Sequence, residues 1–359
     1  MKTSFKIIIA SLFFVQCLSA QLDFSSPNTE QPALLKEMSS KVENGDYENI
    51  TSILIAQNGE LIFEKYYNGN NESSLHNTRS ATKTMATFLT GIAKDQGLIS
   101  ETDKIFNYLA HKNQVKNPDS RKDNIIIEDL LTMSCMLETD DSNYFSRGHE
   151  ERMYFIEDWT QFLIDLPIRS YPFNPKPAEQ PYGRFFHYSS AQASAMSEIL
   201  QTAINEPLHK FAKKHLFNPL EISEYKLDFT PTGYLNTAGG SNYRSQDLLK
   251  FIQLCLNDGV WNGKQLISKE WIKLATSPKA NARSGVDYGY FLWLEAFGKD
   301  KKHNSFYMSG NGGNRMHAFK DLNATIVVTT TNYGNRNAHS YIDEILNEYI
   351  VPVLSSMKD

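Results

Sequence analysis

The chain has 359 residues, 41% hydrophobic and 21% charged, with 36 Lys and Arg against 41 Asp and Glu. That length can bury a large core in one or two closely packed lobes. The acidic excess gives no support to a nucleic-acid or anionic-membrane partner, and no Cys/His spacing resembles a zinc site.

Residues 1–20, MKTSFKIIIASLFFVQCLSA, carry Lys2 and Lys6, an apolar run from Ile7 to Val15 and small residues before Gln21. This is the pattern of a secretory signal peptide, too short to span a bilayer. Bulky Gln16 disfavours a lipoprotein reading through Cys17. Without Lys2 and Lys6 the basic count falls from 36 to 34 against 41 acids, a net charge of −7. No later segment reaches about 18 consecutive apolar residues, so no membrane span is expected after the leader.

A short amphipathic helix is expected over 31–43. Two strand-like runs follow, ITSILIAQ and ELIFEKYY, around Asn58-Gly59, the dipeptide best suited to a type I′ hairpin. From 80 to about 285 the pattern is mostly helical, with helices predicted near 80–96, 126–133, 154–165, 188–204, 207–216, 245–257 and 268–275. Strands return in DYGYFLWLEAF, around SFYMS, in RMHAFKD and in NATIVVTTT, and NAHSYIDEILNEYIVPVL closes the chain as a helix. Two strands early and three or four late predict an α+β fold with one antiparallel sheet flanked by N- and C-terminal helices. The sheet lobe would take about 31–79 and 286–359, with a large helical lobe of about 80–285 inserted after the first two strands. The cleft between the lobes is the expected place for a site. Cys255, at helical apolar spacing, reads as a buried small hydrophobe, whereas Cys135 falls in a loop. An oxidising compartment leaves a disulfide between them open.

Within the helical lobe, SATKTMATFLTGIAKDQG opens with Ser80 and Lys83. Ser-x-x-Lys also occurs at Ser223–Lys226, in a turn-like segment, and at Ser355–Lys358, near the C-terminus, so the pattern alone decides nothing. Around Ser80 the context differs. Met85, Phe88, Leu89 and Ile92 form an apolar stripe at helical spacing, Gly97 is a helix stop, and Ser80 and Lys83 share another face. A hydroxyl one turn from an amine suits nucleophile activation. The competing reading makes Ser80 an N-cap and Lys83 a solvated first-turn residue.

In FFHYSSAQASAMSEIL, Tyr188 and Ser190 open a second amphipathic helix, and the Tyr188 phenol is either a proton shuttle or an ordinary aromatic at a helix start. In SFYMSGNGGNRMHAF, Gly310, Gly312 and Gly313 mark a bulge, a close backbone approach or a tight hairpin loop. A backbone N–H there, paired with that of Ser80, would make an oxyanion hole. His187 and His317 read as structural, with His317 retained as a residue that could line the site, and Trp293 reads as core. Gly-x-Ser-x-Gly is absent.

With IEDLLTMSCMLETDD, GHEERMYFIEDWTQFLIDLP, TAGGSNYRSQDLLKFIQLCLNDGVWNGKQLIS and YGYFLW, these motifs resemble the serine beta-lactamase and penicillin-binding-protein superfamily. The likeness is to its class C-like branch, which also holds esterases and 6-aminohexanoate-dimer hydrolases, and it covers most of the chain after residue 20. It implies Ser80 as the acylated nucleophile, Lys83 as base and Tyr188 as proton relay, with Ser190 at the third position of the second motif. It aligns Gly310-Asn311-Gly312 with the family's Lys-Thr-Gly or His-Thr-Gly strand motif. The second oxyanion N–H then falls at Gly313, beside that of Ser80. The implied substrate is a small ester, amide or peptide-like molecule, with no cofactor or metal, and with the leader the implied location is secreted, in the periplasm.

Departures from the pattern bear on the substrate. Asn311 and its glycine neighbours supply neither the cation nor the threonine hydroxyl that hold a substrate carboxylate in beta-lactamases and carboxypeptidases, so an esterase or amidase is expected ahead of a beta-lactamase or D,D-carboxypeptidase. Arg315 is a nearby charge that could substitute. Ser190 stands where asparagine is usual, and Cys135-Met136 replaces a commoner Ser-Gly pair. Asp140 and Asp141 read as solvated loop carboxylates or as an attraction for a cationic substrate. A binding or sensor protein of the same fold is the competing function.

Overall fold

The computed structural model describes residues 22–24, 31–170 and 176–358, so the expected leader at 1–20 lies outside the described residues. Eight strands form one sheet: β1 (Ile50–Gln57), β2 (Glu60–Tyr66), β3 (Ala280–Arg283), β4 (Val286–Tyr288), β5 (Trp293–Phe297), β6 (His303–Gly310), β7 (Asn314–Phe319) and β8 (Ala324–Thr330). Their spatial order is β2-β1-β8-β7-β6-β5-β4-β3. Every neighbouring pair is antiparallel. The first hairpin joins the others only through β1 against β8, with Ile50 opposite Thr330. At its turn Asn58 has φ 55° and Gly59 φ 85°, the left-handed pair that the dipeptide predicts.

β1 is buried along its whole length because both faces of the sheet are covered. Its side chains alternate, as a strand requires: Ile53 and Ile55 enter one core, Leu54 and Ala56 the other. The first core packs beneath α1 (Ala33–Asn44) and the C-terminal helical run from Ala338 to Ser356. The second is filled by the inserted lobe, whose elements include α2 (Lys83–Asp95), α3 (Trp159–Asp165), α4 (Ser190–Ile204), α5 (Ser245–Leu256) and α6 (Lys269–Ala275). This is the expected α+β architecture, a sheet with helices at both chain ends and a helical insertion after two strands.

Three details differ from the sequence expectation. The helix expected over 154–165 begins only at Trp159, where the Asp158 carboxylate accepts the Gln161 N–H at 2.9 Å, and a separate short helix, Glu150–Met153, precedes it. The strand expected over DYGYFLWLEAF is a hairpin of β4 and β5, turned where Gly289 N–H donates to the Leu292 carbonyl at 2.8 Å. The polar β3 carried no alternation to reveal it. Cys135 and Cys255 are both free and buried, so they form no disulfide. Burial pushes each thiol up to about 12. No helix among the described residues is long and apolar enough to cross a membrane.

Candidate active site

Ser80 sits in a 3-10 turn, Arg79–Thr82, that runs directly into α2. It does not cap the helix: the cap positions are Thr78 and Thr82, and neither makes a side-chain capping bond. Arg79 takes a left-handed conformation at φ 50°, a costly one for a side-chain-bearing residue. It is held by its N–H to Asn77 Oδ1 at 2.9 Å and by its guanidinium 3.9 Å from the centre of the Tyr333 ring. Thr78 and Thr82 hydroxyls meet at 2.9 Å, and Thr78 N–H donates to the Ser241 carbonyl at 3.0 Å. The turn is therefore fixed from three sides.

One helical turn on, Lys83 is only 2% exposed. Its Nζ lies 3.0 Å from Ser80 Oγ, 3.2 Å from Ser190 Oγ and 2.7 Å from the Ala238 carbonyl oxygen, so all three amine directions meet oxygen. A solvated first-turn lysine is ruled out. Nζ also stands over the Tyr188 ring, 5.0 Å from its centre, and that ring stacks on Trp293 at 5.9 Å. Tyr188 Oη has no hydrogen-bond partner among the described residues and borders the same cleft as Ser80.

Ser190, the first residue of α4, continues the chain of contacts. Its Oγ donates to Glu150 Oε2 at 2.7 Å, and Tyr154 Oη donates to the same oxygen at 3.3 Å. Asp141 ties the backbone together: its carboxylate accepts Ser190 N–H at 2.6 Å and Glu150 N–H at 3.1 Å, and its own N–H donates to the Tyr188 carbonyl at 2.9 Å. Burial, then the charge of Glu150, pushes the Asp141 carboxyl up to about 6 against the pull of Lys83. Asp140 instead caps the Ser142 N–H at 2.9 Å and pairs with His187 at 3.9 Å, and hydrogen bonds hold it down at about 2 despite burial. His187, in contact with Arg169, is structural.

Two adjoining hollows of about 360 and 370 Å³ share Ser80, Glu150 and Asn311. One adds Asp141, Tyr188, Trp293, Ser309, Gly310 and His339; the other adds Arg79, Tyr154, Asp228, Asn236 and Gly240. A larger hollow of about 570 Å³, under α6 and the edge strands, contains none of these residues, so the chemistry points to the cleft around Ser80. Gly310 sits where β6 meets the Ser80 turn, and a methyl group there would strike the Thr78 carbonyl and come within 3.2 Å of the Ala81 nitrogen. Only glycine lets the strand approach so closely.

The other strand residues fall differently from the expectation. Gly313 donates its N–H to the Gly310 carbonyl at 3.2 Å inside the β6–β7 turn and borders neither hollow; Asn311, two residues earlier, borders both. Gly312 packs against Asn332 and Tyr333. His317 lies on the opposite face of the sheet, fully buried, its ring 4.4 Å from Tyr307 and 5.0 Å from Phe297, with Nδ1 3.0 Å from Ser305 Oγ. Strand alternation separates it from the cleft, and burial holds its imidazole well below the usual range. Arg315 shares that far face, bound to Asp343 and to His339 at 3.3 Å. Ser223, Lys226 and Lys358 are on the surface.

Glu150 carried no signal in the sequence, since the helix it opens, Glu150–Met153, is too short for periodicity to mark a carboxylate as inward-facing. Trp293 read as core yet borders the cleft. Among the described residues no group of three or more His, Cys, Asp or Glu side chains could hold a metal ion.

Comparison with known proteins bears on the fold and the family. No curated protein matches the sequence. Among solved structures, a candidate 6-aminohexanoate-dimer hydrolase from Bacillus anthracis superposes with a TM-score of 0.70 at 18% identity, over 88% of this chain and 82% of that one. EstCE1, a hydrolase with promiscuous acyltransferase activity, gives 0.66 at 13% identity over 87% and 97% of the two chains. An octameric penicillin-binding protein homologue from Pyrococcus abyssi gives 0.64 at 14% identity over 87% and 76%. These likenesses establish a shared fold, and the family model named Beta-lactamase matches residues 50–348. With that match spanning most of its length, the chain belongs to the beta-lactamase family of serine hydrolases.

Proposed function

We propose that the protein is an exported hydrolase that cleaves a small ester or amide through an acyl-enzyme on Ser80. The observation that carries this reading is the buried Lys83 amine 3.0 Å from Ser80 Oγ. In its neutral form Lys83 donates to Ser190 and Ala238 and accepts the proton of Ser80 as the hydroxyl attacks. Tyr188, whose hydroxyl is open to the cleft, carries the proton to the leaving group. The oxyanion is held by the N–H of Ser80 and that of Asn311, which replaces Gly313 because the Gly313 N–H is already engaged in the β6–β7 turn.

The cleft favours esters and simple amides over substrates with a carboxylate handle. Gly310 stands where the family carries its cation and Asn311 where it carries the threonine, and Arg315 is bound to Asp343 on the far face. A fluorophosphonate probe is expected to label the protein at Ser80, with labelling and hydrolysis of a short-chain chromogenic ester both lost in Ser80→Ala. Persistent labelling in that variant, or no reaction in the unaltered protein, would overturn the reading in favour of a binding protein of the same fold.

A further inference from the structure

Apolar side chains left in water cost free energy until something covers them, and in this protein they are gathered in one place. Among the described residues twelve large hydrophobic side chains are exposed, and five of them fall between 144 and 156. Phe145 and Phe155 are each 91% exposed, more than any of the others. Covering Tyr144, Phe145 and Phe155 would remove roughly 400–600 Å² from water, the size of patch that marks an interaction site.

The segment holds these rings outward by its own bonds. Phe145 N–H donates to Asn143 Oδ1 at 3.0 Å and Ser146 N–H to the Asn143 carbonyl at 2.9 Å, closing a turn that leaves the Phe145 ring in solvent. Tyr144 stacks on His149 at 4.6 Å, and His149 Nδ1 caps the helix Glu150–Met153 by accepting the Glu151 N–H at 3.1 Å. Met153 enters the core, and Phe155 and Ile156 emerge beyond it. The two apolar tips therefore stand at either end of one helical turn, about 6 Å long. The same segment sends Asp141, Ser142, Glu150 and Tyr154 into the hollows around Ser80, so whatever covers the tips lies beside the opening of the cleft.

Charge narrows the choice of occupant. Residues 138–158 hold seven carboxyl groups and two arginines, and Glu151 and Glu157 are exposed on either side of Phe155. A second copy packed face to face would set this acidic rim against itself, and an anionic bilayer would repel it. A zwitterionic bilayer presents its ammonium groups outermost, where the carboxylates meet them, while the aromatic rings settle at headgroup level beneath. We propose that the segment 144–156 docks the protein on a zwitterionic phospholipid bilayer, with the Ser80 cleft at the lipid boundary. Docking does not depend on the chemistry at Ser80; for the hydrolase proposed above it would supply esters that dissolve in the bilayer and not in water.

Flotation with vesicles tests this. The protein is expected to float with phosphatidylcholine vesicles and to stay in solution with phosphatidylglycerol vesicles. Phe145→Ser and Phe155→Ser should each weaken the partition about tenfold. Both side chains are clear of the two hollows, so the double variant should melt with the unaltered protein and turn over a water-soluble ester at the same rate. Phe155→Trp gives a second reading, with emission expected to move to the blue on adding phosphatidylcholine and to stay in place with phosphatidylglycerol; it decides the matter should the serine variants not fold. No flotation with phosphatidylcholine, flotation as strong with phosphatidylglycerol, or a partition indifferent to the double substitution would overturn the proposal. So would concentration-dependent dimerisation abolished by the same two substitutions, which would assign the surface to a second copy of the chain.

Discussion

At Asp141 one carboxylate meets opposing demands. It accepts two backbone N–H groups and lies near Lys83, which favour its anion, yet burial and the neighbouring Glu150 outweigh them and push it up to about 6. Its protonated form is therefore favoured on folding. That contribution is fully present below the ordinary carboxylate range near 4 and is lost as the pH rises through about 6. Asp141→Asn keeps an acceptor for the backbone and cannot ionise. Thermal melts should show its stability rising relative to the unaltered protein by about 1–2 kcal/mol between pH 4 and pH 7.5, and a difference that stays constant across that interval would exclude the mechanism. Position 141 could be suspected from sequence as a loop acid. Its grip on Ser190 and Glu150 could not, because both partners come from other segments.

Among the elements, α2 shows how much of the fold local pattern can specify. Its apolar stripe was readable, yet the helix is buried nearly all round, with Thr84 donating to the Phe291 carbonyl at 2.8 Å and Thr87 to that of Tyr290 at 2.7 Å. Threonine hydroxyls disguise such a face as polar until a partner carbonyl is known. Gly91 marks the closest contact: a methyl there would collide with the Trp271 indole of α6, which is wholly buried and donates to the Thr87 carbonyl at 2.9 Å. Gly91→Ala should therefore destabilise by about 1–3 kcal/mol, outweighing the gain in helix propensity of up to about 1 kcal/mol. Urea unfolding should show a lower midpoint with an unchanged slope; a higher midpoint would mean that α6 shifts freely. Long amphipathic helices and the Asn-Gly hairpin were legible because their signals are local. Which face of β7 carried His317, and which N–H of the glycine loop remained free, depended on register and turn geometry that no short window encodes.

For the molecule as a whole, the leader expected at residues 1–20 carries a prediction that the fold does not depend on. Protein recovered from outside the cytoplasm should begin at Gln21, which N-terminal sequencing would establish; material still carrying residues 1–20 would exclude cleavage there. The free and buried state of Cys135 and Cys255 means that folding after export would need no oxidation.

The sheet order carries one more consequence. The first hairpin waits for β8 as its partner, and the strand end at Gly310 that lies against the Ser80 turn is made long after the nucleophile itself. Synthesis in chain order would release Ser80 and Lys83 before the strand that completes their surroundings. On the mechanism proposed above, reactivity would be withheld by topology until nearly all of the sheet has been made.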